Sequence, residues 1–121
     1  MPEELYCNER YKSLLLRTLG DSPRLRIIDF FLDNPFFDFT KKEVMEALSM
    51  GKRTFYKHFK EIEKYGIVLV SRKIGRAKLY RINLEHPLVK ALRKYETELS
   101  LRIAEEELKK QKIPAGHEQA T

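Results

Sequence analysis

The chain has 121 residues, 42% of them hydrophobic and 35% charged, with a formal net charge of +6 and one cysteine, Cys7. That size supports a single domain with a modest core and leaves no room for a second. One cysteine excludes an internal disulfide, no apolar run approaches the roughly 20 residues of a bilayer span, and the acidic, polar start MPEELYCNER is unlike a signal peptide. The chain therefore reads as cytoplasmic, with no membrane partner.

Helical periodicity predicts a first helix over about 3–19, with Cys7, Tyr11, Leu14, Leu15 and Thr18 on one face and Gly20 as its stop. Ser22 followed by Pro23 is an N-cap with proline at the first helical position, and opens a helix carrying Leu25, Ile27, Ile28, Phe31 and Leu32. Asn34-Pro35 stops it. The FFDF that follows alternates as an edge strand with Phe37 and Phe39 inward, and Thr40 with Glu43 then forms a capping box for a short helix to about Leu48.

Ser49-Met50-Gly51 is a tight turn into a helix over about 52–65, stopped by Gly66, so the two helices make a helix-turn-helix pair. At about 100° per residue, Phe55, Phe59 and Ile62 share the inner side, with His58 and Tyr65 at its margin. Arg53, Tyr56, Lys57, Lys60 and Lys64 lie opposite. After Gly66, IVLV reads as a strand buried on both sides, SRKIGRA as a turn, and KLYRI as a returning strand: a hairpin with its tip at Ile74-Gly75-Arg76.

The charge is concentrated there. Ten Lys and Arg between residues 50 and 82 face only Glu61 and Glu63, so this segment carries +8 and the rest of the chain −2. A basic helix face beside a basic hairpin points to a polyanionic partner rather than to a solvated surface, which would mix signs. Arginine at the hairpin tip, where its own fold offers little to pack against, fits the same partner, although a charged tip also protects a sheet edge from aggregation.

This order of elements, over about residues 22–83, resembles the winged helix-turn-helix of prokaryotic transcription regulators. LSMGKRTFYKHFKEIEKYGIV resembles the family's recognition-helix pattern, and SRKIGRAKLYRIN is similar to the wing of archaeal members of the ArsR and MarR-like group. Gly51 departs from the pattern, since members often carry Ser or Thr there. The resemblance implies an α+β fold, mainly helical with a small β-hairpin wing, whose recognition helix 52–65 enters the major groove of double-stranded DNA. It also implies that the wing, 71–81, lies on the backbone or in the minor groove.

Contacts to phosphate position such a protein and contacts to base edges specify sequence. Arg53, near the start of the recognition helix, is the expected base reader because arginine pairs bidentately with guanine. Thr54 and Tyr56 are secondary readers. Lys52, Lys57, Lys60 and Lys64, with Arg72, Lys73, Arg76 and Lys78 of the wing, complete the expected DNA-binding set.

His86-Pro87 opens a last helix reaching about Lys110, longer than a small core needs. Its Leu88, Ala91, Leu92, Tyr95, Leu99 and Ile103 form a stripe that, with Tyr11, Leu14 and Leu15 of the first helix, is the expected homodimer interface. The organisation is then an N-terminal helix (1–20), a DNA-binding domain (21–84), a dimerisation helix (85–112) and a disordered tail (113–121). His58, His86 and His117 are scattered and no catalytic set or phosphate-cradling glycine loop is present, so neither an enzyme, a cofactor nor a metal site is expected. A small-molecule effector is left open. The competing readings are a winged-helix protein-docking module in a replication or transcription complex, which favours apolar or mixed-charge residues on the outer helix face, and an RNA-binding winged helix.

Overall fold

The computed structural model describes residues 13–119, with side chains for residues 13–110. Its first helix, α1 (Leu14–Leu19), starts at Ser13, whose extended backbone (ψ 163°) and side-chain acceptance from the Leu16 N–H make it an N-cap. The continuous helix expected over 3–19 is therefore interrupted at Ser13, because a capping serine satisfies the orphan amide that a longer helix would have bonded itself. Residues 1–12, with Cys7 and Tyr11, lie outside the described residues.

α2 (Pro23–Asp33) has the cap expected of it: Ser22 Oγ accepts from Leu25 N–H at 3.1 Å, and Pro23 occupies the first turn. It delivers Ile27, Ile28, Phe31 and Leu32 to the core. The next segment departs from expectation. Phe37 N–H bonds the Asn34 carbonyl in a turn, and Phe36 and Phe37 stand exposed at 82% and 64%; only Phe39 reaches the sheet. The expected strand is one bridge, in which Phe39 and Tyr80 exchange backbone bonds of 2.9 and 2.8 Å.

α3 (Lys41–Ala47) opens with the capping box, Thr40 N–H to Glu43 Oε1 at 2.8 Å and Glu43 N–H to Thr40 Oγ1 at 3.1 Å. A turn through Ser49, at φ 52°, leads to α4 (Lys52–Lys64), where Gly51 is the N-cap and supplies no side-chain bond. α4 buries Phe55, Phe59 and Ile62. Gly66, at φ 76°, turns the chain out of the helix, a conformation glycine adopts without strain.

β1 (Val68–Ile74) and β2 (Ala77–Ile82) form a two-stranded antiparallel sheet. Gly75, at φ 61°, and Arg76 are its two-residue turn, with glycine at the first central position where a primed turn needs positive φ. IVLV is not buried on both sides. Ile67 and Val68 enter the core, whereas Leu69 and Val70 are exposed, because a two-stranded ribbon leaving the domain has only its base covered.

α5 (Pro87–Gln119) is about 50 Å long at 1.5 Å per residue. His86 starts it: Nδ1 accepts from Leu88 N–H at 3.1 Å while Nε2, protonated in that tautomer, donates to the Tyr65 carbonyl at 2.8 Å. One side chain thus ties the end of α4 to the start of α5. The helix also runs as far as Gln119, into the segment expected as a disordered tail, 113–121.

All of these elements meet in one core. Phe59 lies at its centre, stacked on Phe55 (ring centroids 5.2 Å apart, 21°) and edge-on to Tyr80 (4.9 Å, 85°). Ile27 and Phe31 of α2, Val44 of α3, Ile82 of β2 and Val89 of α5 close around it. Each such side chain stabilises the fold by about 1.5–3 kcal/mol when buried, and together they fix the orientation of α4 relative to the hairpin.

Candidate nucleic-acid interface

Burying Phe55, Phe59 and Ile62 forces the other side of α4 outward, and Lys52, Arg53, Thr54, Tyr56, Lys57, Lys60 and Lys64 are all exposed. Arg53, Lys57, Lys60 and Lys64 fall within one stripe along the helix, with Glu61 and Glu63 well to either side of it. Among the described residues, Arg53, Lys57 and Lys60 have no carboxylate partner. A row of like charges without counter-ions is unfavourable by itself and is relieved by an external anion.

The hairpin carries the row further, by a device that alternation does not reveal. Val68 pairs with Ile82 in the core and Val70, itself exposed, with buried Tyr80, but the register then shifts at Ser71, a β-bulge, and Arg72 pairs with Leu79. Beyond the bulge the strand's side chains exchange faces. Arg72 shares the face opposite Tyr80 with Leu79, which is itself buried, while Lys73 comes directly opposite Lys78 on the face of Tyr80. Like charges directly opposed across strands destabilise a hairpin, so this pair too favours an anion.

Arg72 has a carboxylate partner within the chain. Its Nε and Nη2 donate to Asp38 at 2.8 and 3.3 Å, and these hydrogen bonds hold the Asp38 carboxyl below the usual carboxylate range. Arg72 fastens the hairpin to the segment before α3. Arg76 stands at the tip as expected.

Sequence reading missed the start of α3. Thr40, Lys41 and Lys42 line an open cleft of about 370 Å3 together with Arg76, Ala77, Lys78 and Tyr80. Four cations and no carboxylate line it. The signal was available, because lysines in the first turn of a helix oppose the positive end of its dipole and need another reason to be there. Arg24, also overlooked, donates from Nε to His58 Nδ1 at 3.1 Å and braces α2 against the flank of α4. Burial, then Arg24 and Lys57, lowers the His58 pKa below its ordinary value, so the ring is neutral at pH 7 and accepts that bond.

The proposed self-association surface divides. Leu15 and Leu92, expected on the interface, are buried in the chain's own core, Leu92 at 8% exposure, together with Val89, which sequence reading left out. An apolar helix stripe states that something covers it and not what, and here the covering element is the same domain. Leu88, Tyr95 and Ile103 remain exposed, with Leu14 and Leu99 half-buried, and every side chain from 100 to 110 is exposed. Beneath α5, Asp29 of α2 is only 8% exposed, and its Oδ1 has no hydrogen-bond partner among the described residues. Burial first, then the charge of Asp33 and, more weakly, Glu96, pushes its pKa up to about 6, against a lowering hydrogen bond from Ser13.

Among the described residues no cluster of His, Cys, Asp and Glu is placed to hold a metal ion, and no helix is long and apolar enough to cross a membrane.

This arrangement, a helix-turn-helix followed by a two-stranded wing, is the winged helix-turn-helix fold. The solved structures similar to it include the transcriptional repressor BigR from Xylella fastidiosa, with a TM-score of 0.53 and 20% identity over 84% of this chain and 96% of that one. A MepR variant from a multidrug-resistant S. aureus clinical isolate matches with a TM-score of 0.57 and 13% identity over 84% of this chain and 77% of that one. The ferric uptake regulator from Francisella tularensis, solved with iron, aligns with a TM-score of 0.46 and 21% identity over 54% of this chain, which spans about half of that protein (53%). No protein-family model and no curated protein matches the chain.

Proposed function

We propose that the chain is a sequence-specific double-stranded DNA-binding transcription regulator that acts as a homodimer in the cytoplasm and catalyses no reaction. The observation that carries this reading is the unpaired basic row of Arg53, Lys57 and Lys60 on α4, continued by the opposed Lys73 and Lys78 and by Arg76. Its shape supports duplex DNA, because a convex helix face flanked by a projecting hairpin matches a major groove and its adjoining backbone. The likeness to BigR, a transcriptional repressor of the same fold, supports it too. α4 enters the major groove with Arg53 reading a base edge, while Lys57, Lys60, Lys64, Lys73, Arg76 and Lys78 neutralise phosphates. Leu88, Tyr95, Leu99 and Ile103 supply the apolar surface of the dimer.

The test is a titration of labelled duplexes, selected from a random pool, at several salt concentrations. Selection should converge on one motif, and log affinity should fall linearly with log salt at a slope of about −0.9 per phosphate neutralised. Equal binding of every duplex, or tighter binding of single-stranded RNA, would refute it.

A further inference from the structure

Four cations line the cleft between α3 and the wing, but they are not equivalent. The Lys41 ammonium lies 5.3 Å from the ring centroid of Phe59, 5.4 Å from that of Tyr56 and 5.6 Å from that of Tyr80. These rings belong to α4 and β2, so one side chain of α3 joins all three elements of the interface. Two of the rings are immobile. Phe59 and Tyr80 are buried against one another, and the Tyr80 hydroxyl is further anchored on Glu63.

Tyr56 is the third, and it is 39% exposed on the outward side of α4, one turn from Arg53. Its ring meets Phe55 edge-on, at 5.6 Å and 86°, and has the Lys41 ammonium 5.4 Å from its centroid. A cation against the face of a half-exposed ring stabilises one orientation of it, by an attraction that salt weakens little once the pair is partly desolvated. Lys41 would forfeit contacts with three rings by swinging out to a phosphate. Lys42, the next residue, is exposed and has no such contacts.

We infer that Lys41 is a positioning residue and not a phosphate ligand: it holds the Tyr56 ring as a specificity-determining surface that meets the methyl edge of a thymine, and leaves Lys42, Arg76 and Lys78 to neutralise the backbone. This rests on the DNA-binding reading above. A fixed apolar ring next to a base-reading arginine suits the thymine methyl group, the apolar feature of the major groove.

Two measurements separate this role from a merely electrostatic one. The first needs no DNA. In the free protein the ε-methylene protons of Lys41 should resonate upfield of an exposed lysine because of the ring currents, and Tyr56→Leu should remove part of that displacement. An exposed-lysine position in the unsubstituted protein would overturn the lock whatever the protein binds. The second is competition binding of Lys41→Met, Lys41→Arg, Lys42→Met and Tyr56→Leu against single-base-pair variants of the selected duplex. Lys41→Met should lose about two- to fivefold of the preference at one A·T pair, the equivalent of one exposed cation–π contact. The pair should be the one at which Tyr56→Leu loses preference, and the salt slope should stay unchanged.

Lys41→Arg, still a cation over the rings, should keep the preference. Lys42→Met should instead reduce the salt slope by about one and leave the preference profile intact. A Lys41→Met protein with a reduced slope and an unaltered profile would make Lys41 a phosphate ligand and overturn the inference. Ring-shifted Lys41 protons in a protein that ignores duplex DNA would instead overturn the DNA-binding reading, and with it the role of Tyr56, while leaving the contact itself in place.

Discussion

Replacing Asp29 by asparagine should stabilise the protein at neutral pH and have almost no effect in acid. The carboxyl is held at about 6 where an unfolded chain titrates at 3.8. The native state therefore binds this proton more tightly than the unfolded state does, and the stabilisation it brings is complete below pH 3.8 and lost as pH rises through about 6. At 1.36 kcal/mol per pKa unit, the penalty above both values is about 3 kcal/mol, which solvent screening brings down to about 1–2 kcal/mol. Asparagine has nearly the shape of the protonated acid and can still accept from Ser13, so the variant should escape the penalty without leaving a cavity. Urea denaturation of both proteins at pH 4 and pH 7.5, at one fixed protein concentration, measures the difference. The variant should gain about 1–2 kcal/mol over wild type at pH 7.5 and at most a few tenths of that at pH 4. An Asp29→Asn protein that is less stable than wild type at pH 7.5 would refute the reasoning, since the carboxylate would then be ionised and satisfied.

Arg53→Ala should flatten the preference at one base pair by about 1–3 kcal/mol, the value of a bidentate contact, as read by competition against single-base variants. Arg76→Ala should lower the slope of log affinity against log salt by about one while leaving the urea midpoint unchanged. For self-association, Tyr95→Glu with Ile103→Glu charges the exposed side of α5 without touching Leu92 in the core. Light scattering should then report a monomer that binds a full site weakly, and a variant that stays dimeric would move the interface elsewhere.

Helix positions were legible because they rest on local chemistry. The Ser22-Pro23 cap, the Thr40–Glu43 box and the 3.6-residue spacing of Phe55, Phe59 and Ile62 all act within one or two turns, and all recur in the structure. So the exposed side of α4 was readable from its buried side alone. What failed depended on distant partners. Nothing near Leu92 says that α5 packs it on its own domain, nothing near Phe37 says that the Asn34 turn lifts it off the sheet, and nothing in SRKIG says that Ser71 is the unpaired residue that sends Arg72 to Asp38. The lysines at the start of α3 carried a local signal in their position against the helix dipole, but not the identity of their neighbours. They lie far in sequence from the wing residues with which they share a cleft, and only folding brings their charges together.

The facing of Lys73 with Lys78 gives dissolved ions two opposite jobs. In the free protein, added salt weakens the repulsion between the two ammonium groups and lets the hairpin close more firmly. In the proposed complex with DNA the same salt would compete with the protein for the phosphates and loosen the complex. Rising ionic strength should therefore make the wing more rigid and less adhesive together. If the proposed DNA binding holds, the protein is most receptive to DNA under the dilute conditions in which its own wing is least settled, with the nucleic acid as the counter-ion that completes the hairpin.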